Sequence, residues 1–502
     1  MAGVAAAREL ERLRCPVRLI EAKGHLGGRT YGEVQRGGWA FNHGANWIHG
    51  SFPNPLWVLN KEKGLVRTQW LPETYYARTH SGIVRDHGNS TYVPGQAFRQ
   101  SFDNFVQTHA HFMDFLSLTC QGKYNSRDLP VTYFVQDYLQ SKNVSGHKLD
   151  DFLLYYNVYQ TLDFARDLYS ASMLNYIGRA YNHDREFMLV DPYNRIVDYI
   201  AEGLDVILNE PVSLVEYGNA GVRVHGRSGK VYEGTLAIIT VPVGVLQTPT
   251  ISFQPPLPPW KQRTIYGMGM GLLEKIAFEF DTPWWEAAGA SEDALWTVKQ
   301  GERAGFKSTA SEWYNLHNLL NKTVPPVLMT TPGGYFADAL EFVSDQEVIS
   351  IFMEELRSIF PGVDVPPPRK IWRTKHRQDE FMRGSYYSPA VGTDPLSMNL
   401  LAEPVANRLL FAGEATSTTR FGYADGAYET GLRAAKQAVA FCASEGAPIA
   451  FDSAGLGAVR VPSEERIRRE WRAQVEAVLD QSIPNCSIRE TPAAGNQQPL
   501  VD

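Results

Sequence analysis

Long apolar runs, paired cysteines and an excess of basic residues are all missing from this sequence of 502 residues. No run of about 18 consecutive apolar residues occurs, which argues against a membrane-spanning helix. The four cysteines form no CxxC pair and no histidine cluster has zinc-ligand spacing. We therefore expect neither a disulfide framework nor a bound metal. The formal net charge of −7 argues against nucleic acid as a main partner and is compatible with a cationic ligand.

The composition that is present is that of a large globular protein, with 44% hydrophobic and 21% charged residues. The length leaves room for at least two domains. We expect a soluble chain, either secreted or cytoplasmic. Sequons that hint at the secretory route occur at Asn89, Asn143, Asn321 and Asn485.

The first residues, MAGVAAAREL, have the pattern of a helix with no strand or glycine turn before it. Apolar residues recur every third position from Val4 to Leu13, and CPVRLIEAK then predicts a short buried strand with Glu21 at its end. In a Rossmann unit, a glycine lets the helix pack on the sheet, and an acid about 20 residues later accepts hydrogen bonds from a ribose. Gly3 stands 18 residues before Glu21, so this segment has the form of the second half of such a unit.

Three glycine-rich blocks extend this pattern. GHLGGRTYGE (24–33) and GWAFNHGANWIHG (38–50) follow closely, and RLLFAGEATSTTRFGYADGAYETGLRAAKQAV (408–439) stands near the other end. The last block predicts a strand over Leu409–Phe411, a glycine turn with Glu414, and a helix. Because a helix N-terminus presents free N–H groups and the positive end of a dipole, a phosphate or polarised ring could bind there.

Other segments carry weaker patterns. RIVDYIAEGLDVIL (195–208) predicts one amphipathic helix, and residues 222–247 predict a hairpin that leads into a buried strand. In the tail, SEERIRREWRAQVEAVLD predicts a further helix with one apolar face. The residues on that face are Ile467, Trp471, Val475 and Val478.

Together, EAKGHLGGRT, FAGEAT and GYADGAYETG resemble the flavin-dependent amine oxidase family, most closely its polyamine oxidase branch, from Gly3 to about Ala440. The resemblance implies an α/β fold, with a Rossmann-like FAD-binding domain built from discontinuous segments and an α+β substrate-binding domain. The family's usual V-x-G-A-G-M-A-G start is matched only from Met1 onward, so we expect the chain to begin inside a truncated phosphate-binding turn. The implied domains are 1–70, 196–255 and 400–443 for FAD, 71–195 and 256–399 for the substrate, and 444–502 for a C-terminal tail with a helix.

The resemblance also implies that FAD is bound noncovalently, because TSTTRFGYADG lacks the cysteine that covalent-flavin members carry there. Glu21 would bind the adenosine ribose, and Arg29 would lie over the pyrophosphate. The main chain of Val212 would contact the adenine, and Glu414 would bind the ribityl chain or a water. The full set implied for the cofactor is Gly3, Glu21, Ala22, Gly27, Gly28, Arg29, Gly44, Ala45, Asn46, Trp47, Val212, Gly413, Glu414, Gly422, Tyr423 and Ala424.

The catalytic residues that the resemblance implies come from four positions. Lys275, in GLLEKIAFEF, matches the family lysine that holds a water beside flavin N5, although a single lysine in a strand more often faces solvent. Tyr423 and Tyr386 match the aromatic pair that sandwiches the amine, with Tyr387 leaving a second register open at RGSYYS. His49, in GANWIHG, stands where polyamine-oxidising relatives carry His or Glu and could hydrogen-bond a substrate nitrogen.

Two more positions concern the substrate. Asp163, in YQTLDFAR, could be a substrate-facing acid. Relatives usually have Trp a few residues before the RGSY motif, whereas this chain has His376 in KHRQDEF. We expect His376 to change the shape of the cavity near the flavin.

The expected function is FAD-dependent oxidation of amines, with polyamines of the spermine and spermidine class favoured. The imine product would hydrolyse to an aldehyde and an amine, with O₂ reduced to hydrogen peroxide. The expected partners are thus a small-molecule amine and O₂. A catalytically impaired or non-enzymatic chain is one alternative, because the first strand and phosphate-binding turn are missing from the motif. A monoamine or L-amino-acid oxidase is another, and a chromatin demethylase is disfavoured because the sequence shows no targeting domain.

Overall fold

The computed structural model describes residues 1–51, 54–71, 82–86, 108, 128–146, 152, 164–177, 186–288, 294–298, 311–360 and 362–444. The helices are α1 Ala2–Arg12, α2 Pro55–Lys63, α3 Val131–Ser141, α4 Met173–Ile177, α5 Asn194–Ala201, α6 Val243–Leu246, α7 Pro259–Gly267, α8 Leu316–Leu319, α9 Gly334–Glu341, α10 Asp345–Ile359, α11 Ser397–Ala402 and α12 Ala424–Ser444.

The strands are β1 Leu19–Ile20, β2 Gly32–Val34, β3 Ala40–Asn42, β4 Trp47–His49, β5 Thr68–Leu71, β6 Gly82–Asp86, β7 Glu186–Leu189, β8 Val206–Ile207, β9 Val212–Gly218, β10 Gly221–Gly226, β11 Val231–Gly234, β12 Ala237–Ile239, β13 Ser252–Gln254, β14 Met270–Gly271, β15 Ile276–Glu279, β16 Ala294–Val298, β17 Ser311–Asn315, β18 Val327–Thr330, β19 Lys370–Arg373, β20 Tyr386–Tyr387 and β21 Leu409–Phe411. The fold is therefore a mixed α/β fold, as the sequence predicts.

The helix predicted at the start of the chain is α1, and it packs closely on α12 through small residues. Ala2 and Ala5 of α1 are buried. An added Cβ on Gly431 of α12 would lie 2.3 Å from the Ala2 carbonyl oxygen, so only glycine allows this approach. Gly3 also lies close to Thr240, since its added Cβ would be 3.0 Å from Oγ1. Small residues thus bring α1 against both α12 and the end of β12.

Parallel strand pairs lie next to these helices. β1 pairs with β8, and β12 pairs with β21, both in parallel. Glu21 directly follows β1, and Gly413 lies two residues beyond the end of β21. Both residues therefore lie beyond the carboxyl ends of parallel strands, which is where open α/β sheets bind their ligands.

The largest sheet has six strands in the order β19-β15-β18-β17-β16-β6. All four residues of β15 are buried. Ile276 and Phe278 pack into a cluster with residues of α10, and Ala277 packs into a second cluster that includes Tyr314 and Met188. Because both faces of β15 are covered, Lys275, which directly precedes this strand, lies inside the protein.

The hairpin predicted over residues 222–247 is confirmed, whereas the helix predicted over residues 195–208 is wrong in its second half. β10 pairs antiparallel with β11, and β12 follows, but this strand is half-buried rather than buried as predicted. The helix α5 ends at Ala201, and Gly203 adopts a φ of 80°. Glycine accepts this left-handed conformation without strain, so the chain turns there. The apolar residues that follow form β8 instead, because they pair with β1.

Within the described ranges, no helix combines the length and apolar character that crossing a bilayer requires. The tail helix predicted from Ile467 to Val478 lies outside the described residues. The domain boundaries stay a prediction.

Candidate active site

A cavity of about 450 Å³ lies where these elements meet. Its wall is built from the end of β1, β4 and the turn before it, the residues just before β15, the residues just after β21 and the start of α12. Asp163 lies outside the described residues. Every other residue that the sequence predicts for the site lines this cavity, namely Gly3, Glu21, Ala22, Gly27, Gly28, Arg29, Gly44, Ala45, Asn46, Trp47, His49, Val212, Lys275, Tyr386, Gly413, Glu414, Gly422, Tyr423 and Ala424.

One part of the wall is made mainly of backbone. Gly27, Gly28 and Gly413 have φ angles of 105°, 54° and 137°, which L side chains rarely adopt. An added Cβ on Gly28 or Gly413 would meet no atom within 4 Å, so open space lies in front of both turns. Glu21 is fixed beside them, because its Oε1 accepts the Lys23 N–H at 2.8 Å. This part can hold a phosphate-containing ligand close to the main chain.

Gly44 allows a close backbone contact with the turn at Arg29. A Cβ on Gly44 would lie 1.9 Å from the Arg29 carbonyl oxygen. No side chain fits into that space, so the segment after β3 can pack on the Arg29 turn only through glycine. Ala45 completes the contact, since its N–H donates to the same carbonyl at 2.8 Å.

Arg29 and Glu414 form an ion pair that joins distant segments. Arg29 NH1 donates to Glu414 Oε1 at 2.7 Å and to the Ser385 carbonyl at 2.9 Å. The Glu414 carboxylate also accepts the N–H groups of Tyr387 and Gly422 at 3.2 Å and 2.8 Å. Because Glu414 is buried and receives three donors, it fixes these three segments around the cavity.

Lys275 points into the protein rather than to solvent. Its ammonium donates to the carbonyl oxygens of Asn42 and Gly44 at 2.5 Å and 2.9 Å. Nζ also lies 6.0 Å from the centroid of the Trp47 ring. Burial lowers the pKa of Lys275 from 10.5 to about 7. The side chain can therefore exchange a proton near neutral pH, at a fixed position in the cavity wall.

The structure separates the two tyrosines of RGSYYS. Tyr386 lines the cavity, and its ring lies next to Gly422, where an added Cβ would be 3.4 Å from Cδ2. Tyr387 is buried instead, with its ring centroid 5.4 Å from that of Phe421. Burial raises the pKa of Tyr387 far above its ordinary value. Of the two registers, the cavity therefore contains Tyr386, in the same wall as Tyr423.

A histidine–carboxylate pair lies near Tyr423, and only its histidine is predicted from the sequence. His49 and Glu186 are direct cross-strand neighbours on β4 and β7. His49 Nδ1 lies 2.7 Å from Glu186 Oε2, and the His49 ring centroid lies 4.8 Å from that of Tyr423. Glu186 also lines the cavity. It stands in no motif, and the pairing of β7 with β4 brings it to the site, so no local pattern indicates it.

His376, which we expect from the sequence to change the shape of the cavity, lines the cavity. Burial, with a smaller contribution from the Lys275 charge, lowers the pKa of His376 from 6.5 to about 3, against the opposing effect of a hydrogen bond with the His43 backbone. His376 is thus neutral at pH 7. The site therefore combines a neutral imidazole and an easily deprotonated lysine.

Comparison with known proteins gives this arrangement a context. The family model described as flavin containing amine oxidoreductase matches residues 1–439. Polyamine oxidase 4 of Oryza sativa subsp. japonica is 29% identical over 443 residues, which cover 87% of this chain and 86% of that protein. Lysine-specific histone demethylase 2 of Homo sapiens is 25% identical over 454 residues, which cover 88% of this chain and 52% of that protein. The chain thus spans about half the length of this demethylase.

Among solved structures, wild-type putrescine oxidase bound to putrescine is similar to this chain. The TM-score is 0.65 at 19% sequence identity, and the match covers 88% of this chain and 97% of that one. At this identity the likeness concerns the fold.

Proposed function

Because the chain belongs to the flavin-containing amine oxidoreductase family and its cofactor is FAD, we propose that it oxidises polyamines of the spermine and spermidine class. When bound, FAD supplies the two-electron oxidation that turns the amine into an imine and passes the electrons to O₂ as hydrogen peroxide. Water would then hydrolyse the imine to an aldehyde and an amine. The protein's part is to bind and orient the reactants and to accept a proton, and the cavity wall contains groups for each task.

The backbone-rich part of the wall would hold the dinucleotide, within a Rossmann-like FAD-binding domain. Glu21 would accept hydrogen bonds from the ribose, and Arg29 would neutralise the pyrophosphate above Gly27 and Gly28. The open space in front of Gly28 supports this placement. The main chain of Val212 would contact the adenine. No cysteine occurs among the described residues of the wall, which supports noncovalent binding.

The side-chain-rich part would hold the amine. Tyr386 and Tyr423 would flank its carbon chain, and such rings also tolerate a cationic nitrogen through cation–π contact. The Glu186 carboxylate would attract a second, protonated nitrogen, with His49 as the neighbouring hydrogen-bond partner. A polyamine has such a second nitrogen, whereas a monoamine does not. The His49–Glu186 pair is therefore the observation that carries the polyamine proposal.

Lys275 would hold the water that attacks the imine. Its ammonium is fixed by two carbonyl oxygens in the cavity wall. With a pKa of about 7, it can also accept a proton from that water as hydrolysis proceeds. The lysine would thus serve both the positioning of water and the removal of its proton.

Peroxide release over a panel of spermine, spermidine, their acetyl forms and simple monoamines tests the proposal. We expect kcat/KM for the polyamines to exceed that for monoamines by at least tenfold. In the variant Lys275→Met, turnover should fall about 100-fold, a typical loss for general acid–base catalysis, while FAD remains bound. Unchanged turnover would remove Lys275 from the mechanism.

Lys261→Met is the matched control. Lys261 is also fully buried and also donates to carbonyl oxygens, those of Leu400, Leu401 and Glu403. It does not line the cavity in the described part of the chain. We expect this control to lose stability but to keep its substrate preference.

The similarity to histone demethylases favours a second candidate, a methylated lysine side chain as the amine. A peptide with N-methyl-lysine added to the same panel separates the two candidates. If this peptide releases formaldehyde faster than spermine produces hydrogen peroxide, the second candidate is favoured.

A further inference from the structure

Two glutamates that the mechanism above does not use meet beneath Lys275. Glu274 directly precedes Lys275, and Glu341 is the last residue of α9. Both side chains are 2% exposed, and their carboxyl groups bind neighbouring residues of one short segment. Two ionised carboxylates buried this close together repel each other. A proton held by the pair would remove one of the two buried charges and allow the carboxyl groups to hydrogen-bond.

The remaining oxygens of this pair hold one short segment of chain. Glu274 accepts the hydroxyl of Thr374 and, at 2.9 Å, the backbone N–H of His376. Glu341 accepts the backbone N–H groups of Arg377 and Gln378 at 2.7 Å and 2.9 Å. The acid pair thus binds successive residues of the segment 374–378, which follows β19.

This segment is connected directly to the reactive wall of the cavity. The Thr374 hydroxyl accepts the Lys275 backbone N–H at 2.8 Å. His376, whose N–H the pair binds, lines the cavity itself. Glu274 itself also lines the cavity. Through these hydrogen bonds, the two carboxyl groups hold Lys275 and His376 in position.

Charge explains why the pair must hold a proton. Arg373 and Arg377, the cations on the packed elements, are paired with Asp345 and Asp338. Lys275 donates to carbonyl oxygens, and His376 is neutral at pH 7. Burial and the neighbouring Glu341 raise the pKa of Glu274 well above its ordinary value.

We propose that Glu274 and Glu341 are positioning residues that share one proton, and that this neutral-acid contact holds Lys275 and His376 in place for amine oxidation. The pair acts through the segment 374–378. Loss of the shared proton places two negative charges side by side beneath Lys275 and breaks the contact.

Infrared difference spectroscopy tests the shared proton without turnover. At pH 7, we expect the wild-type protein to show the carbonyl band of a protonated carboxylic acid, and Glu274→Gln to lose it. The control Glu279→Gln changes another buried glutamate on the adjoining strand, which is paired with Arg369 at 2.6 Å, and should keep the band. Identical wild-type and Glu274→Gln spectra in this region would overturn the proposal.

The dependence of stability on pH gives a second readout. A folded state that retains a proton the unfolded chain releases loses stability as pH rises from about 4.5, the ordinary glutamate value. The melting temperature of Glu274→Gln should therefore change less with pH above pH 5 than that of the wild type. An equal slope in both proteins would contradict the shared proton.

The positioning role rests on the proposed function and is tested separately. Glu274→Ala removes both acceptors and should slow flavin reduction by a polyamine at least tenfold, whereas the neutral isostere Glu274→Gln should recover most of that loss. Equal rates in the two variants would overturn the positioning role. If Glu274→Ala does not fold, the infrared result with Glu274→Gln still decides on the proton. If the protein oxidises no amine, only the kinetic test fails, and the infrared and stability tests still decide whether the proton is shared.

Discussion

The two parts of the cavity wall are built in different ways. In the part proposed for the nucleotide, the main-chain atoms of Gly27, Gly28 and Gly413 form the surface, and the positions are set by turns. In the part proposed for the amine, the surface consists of titratable and aromatic side chains from separate elements, among them His49, Glu186 and Lys275. Local sequence therefore determines the first part, and tertiary packing determines the second.

The largest expected effect falls on the backbone-rich part. Gly44→Ala would place a methyl group 1.9 Å from the Arg29 carbonyl oxygen. Since neither backbone segment can move without opening the turn, we expect a loss of about 3 kcal/mol or more and loss of FAD. Flavin absorbance per mole of purified protein and the melting temperature measure both effects.

Gly218→Ala is the matched control for this change. Its added Cβ meets no atom within 4 Å. It should keep both FAD and stability. A Gly44→Ala protein that retains its full flavin content would show that the turn is not rigid.

An intermediate effect is expected in the side-chain-rich part. Glu186→Gln removes a negative charge but keeps the shape beside His49. We expect kcat/KM for spermine to fall about tenfold, corresponding to one charge-assisted contact, while kcat/KM for a monoamine changes less than twofold. Steady-state kinetics on both substrates measure the ratio. Equal losses on both would mean that Glu186 supports the fold rather than the second nitrogen.

The smallest effect concerns the pH dependence of stability. The pKa of Lys275 falls from 10.5 to about 7 on folding, so between these values the unfolded chain binds more protons than the folded one. Stability from this group therefore rises as pH increases from about 7 towards 10. In Lys275→Met that contribution is absent, and the melting temperature should rise less, or fall more, over this range by a few degrees. Parallel curves for variant and wild type would contradict the buried position of the lysine.

The same contrast shows what the sequence could predict. The starting helix, the strand over Leu409–Phe411 and the hairpin after Val222 are local patterns, and the structure confirms them. The helix predicted over 195–208 is wrong after Ala201, because the pairing of β8 with β1 outweighs a continuous amphipathic pattern.

The candidate site divides in the same way. The glycine turns and Lys275 stand in motifs, and the predicted residues within the described ranges line one cavity. Glu186 and Glu341 stand in no motif. They reach the site through strand pairing and helix packing across long stretches of chain, which no local spacing records.

The central claim is that one cavity binds FAD and an amine together. Anaerobic mixing of the FAD-loaded protein with spermine tests it most directly, with absorbance near 450 nm, an approximate position for oxidised flavin, as the readout. The account predicts that the absorbance is lost on mixing and returns when oxygen is admitted. A protein that takes up no FAD, or whose flavin absorbance is unchanged by every amine of the panel, would contradict it.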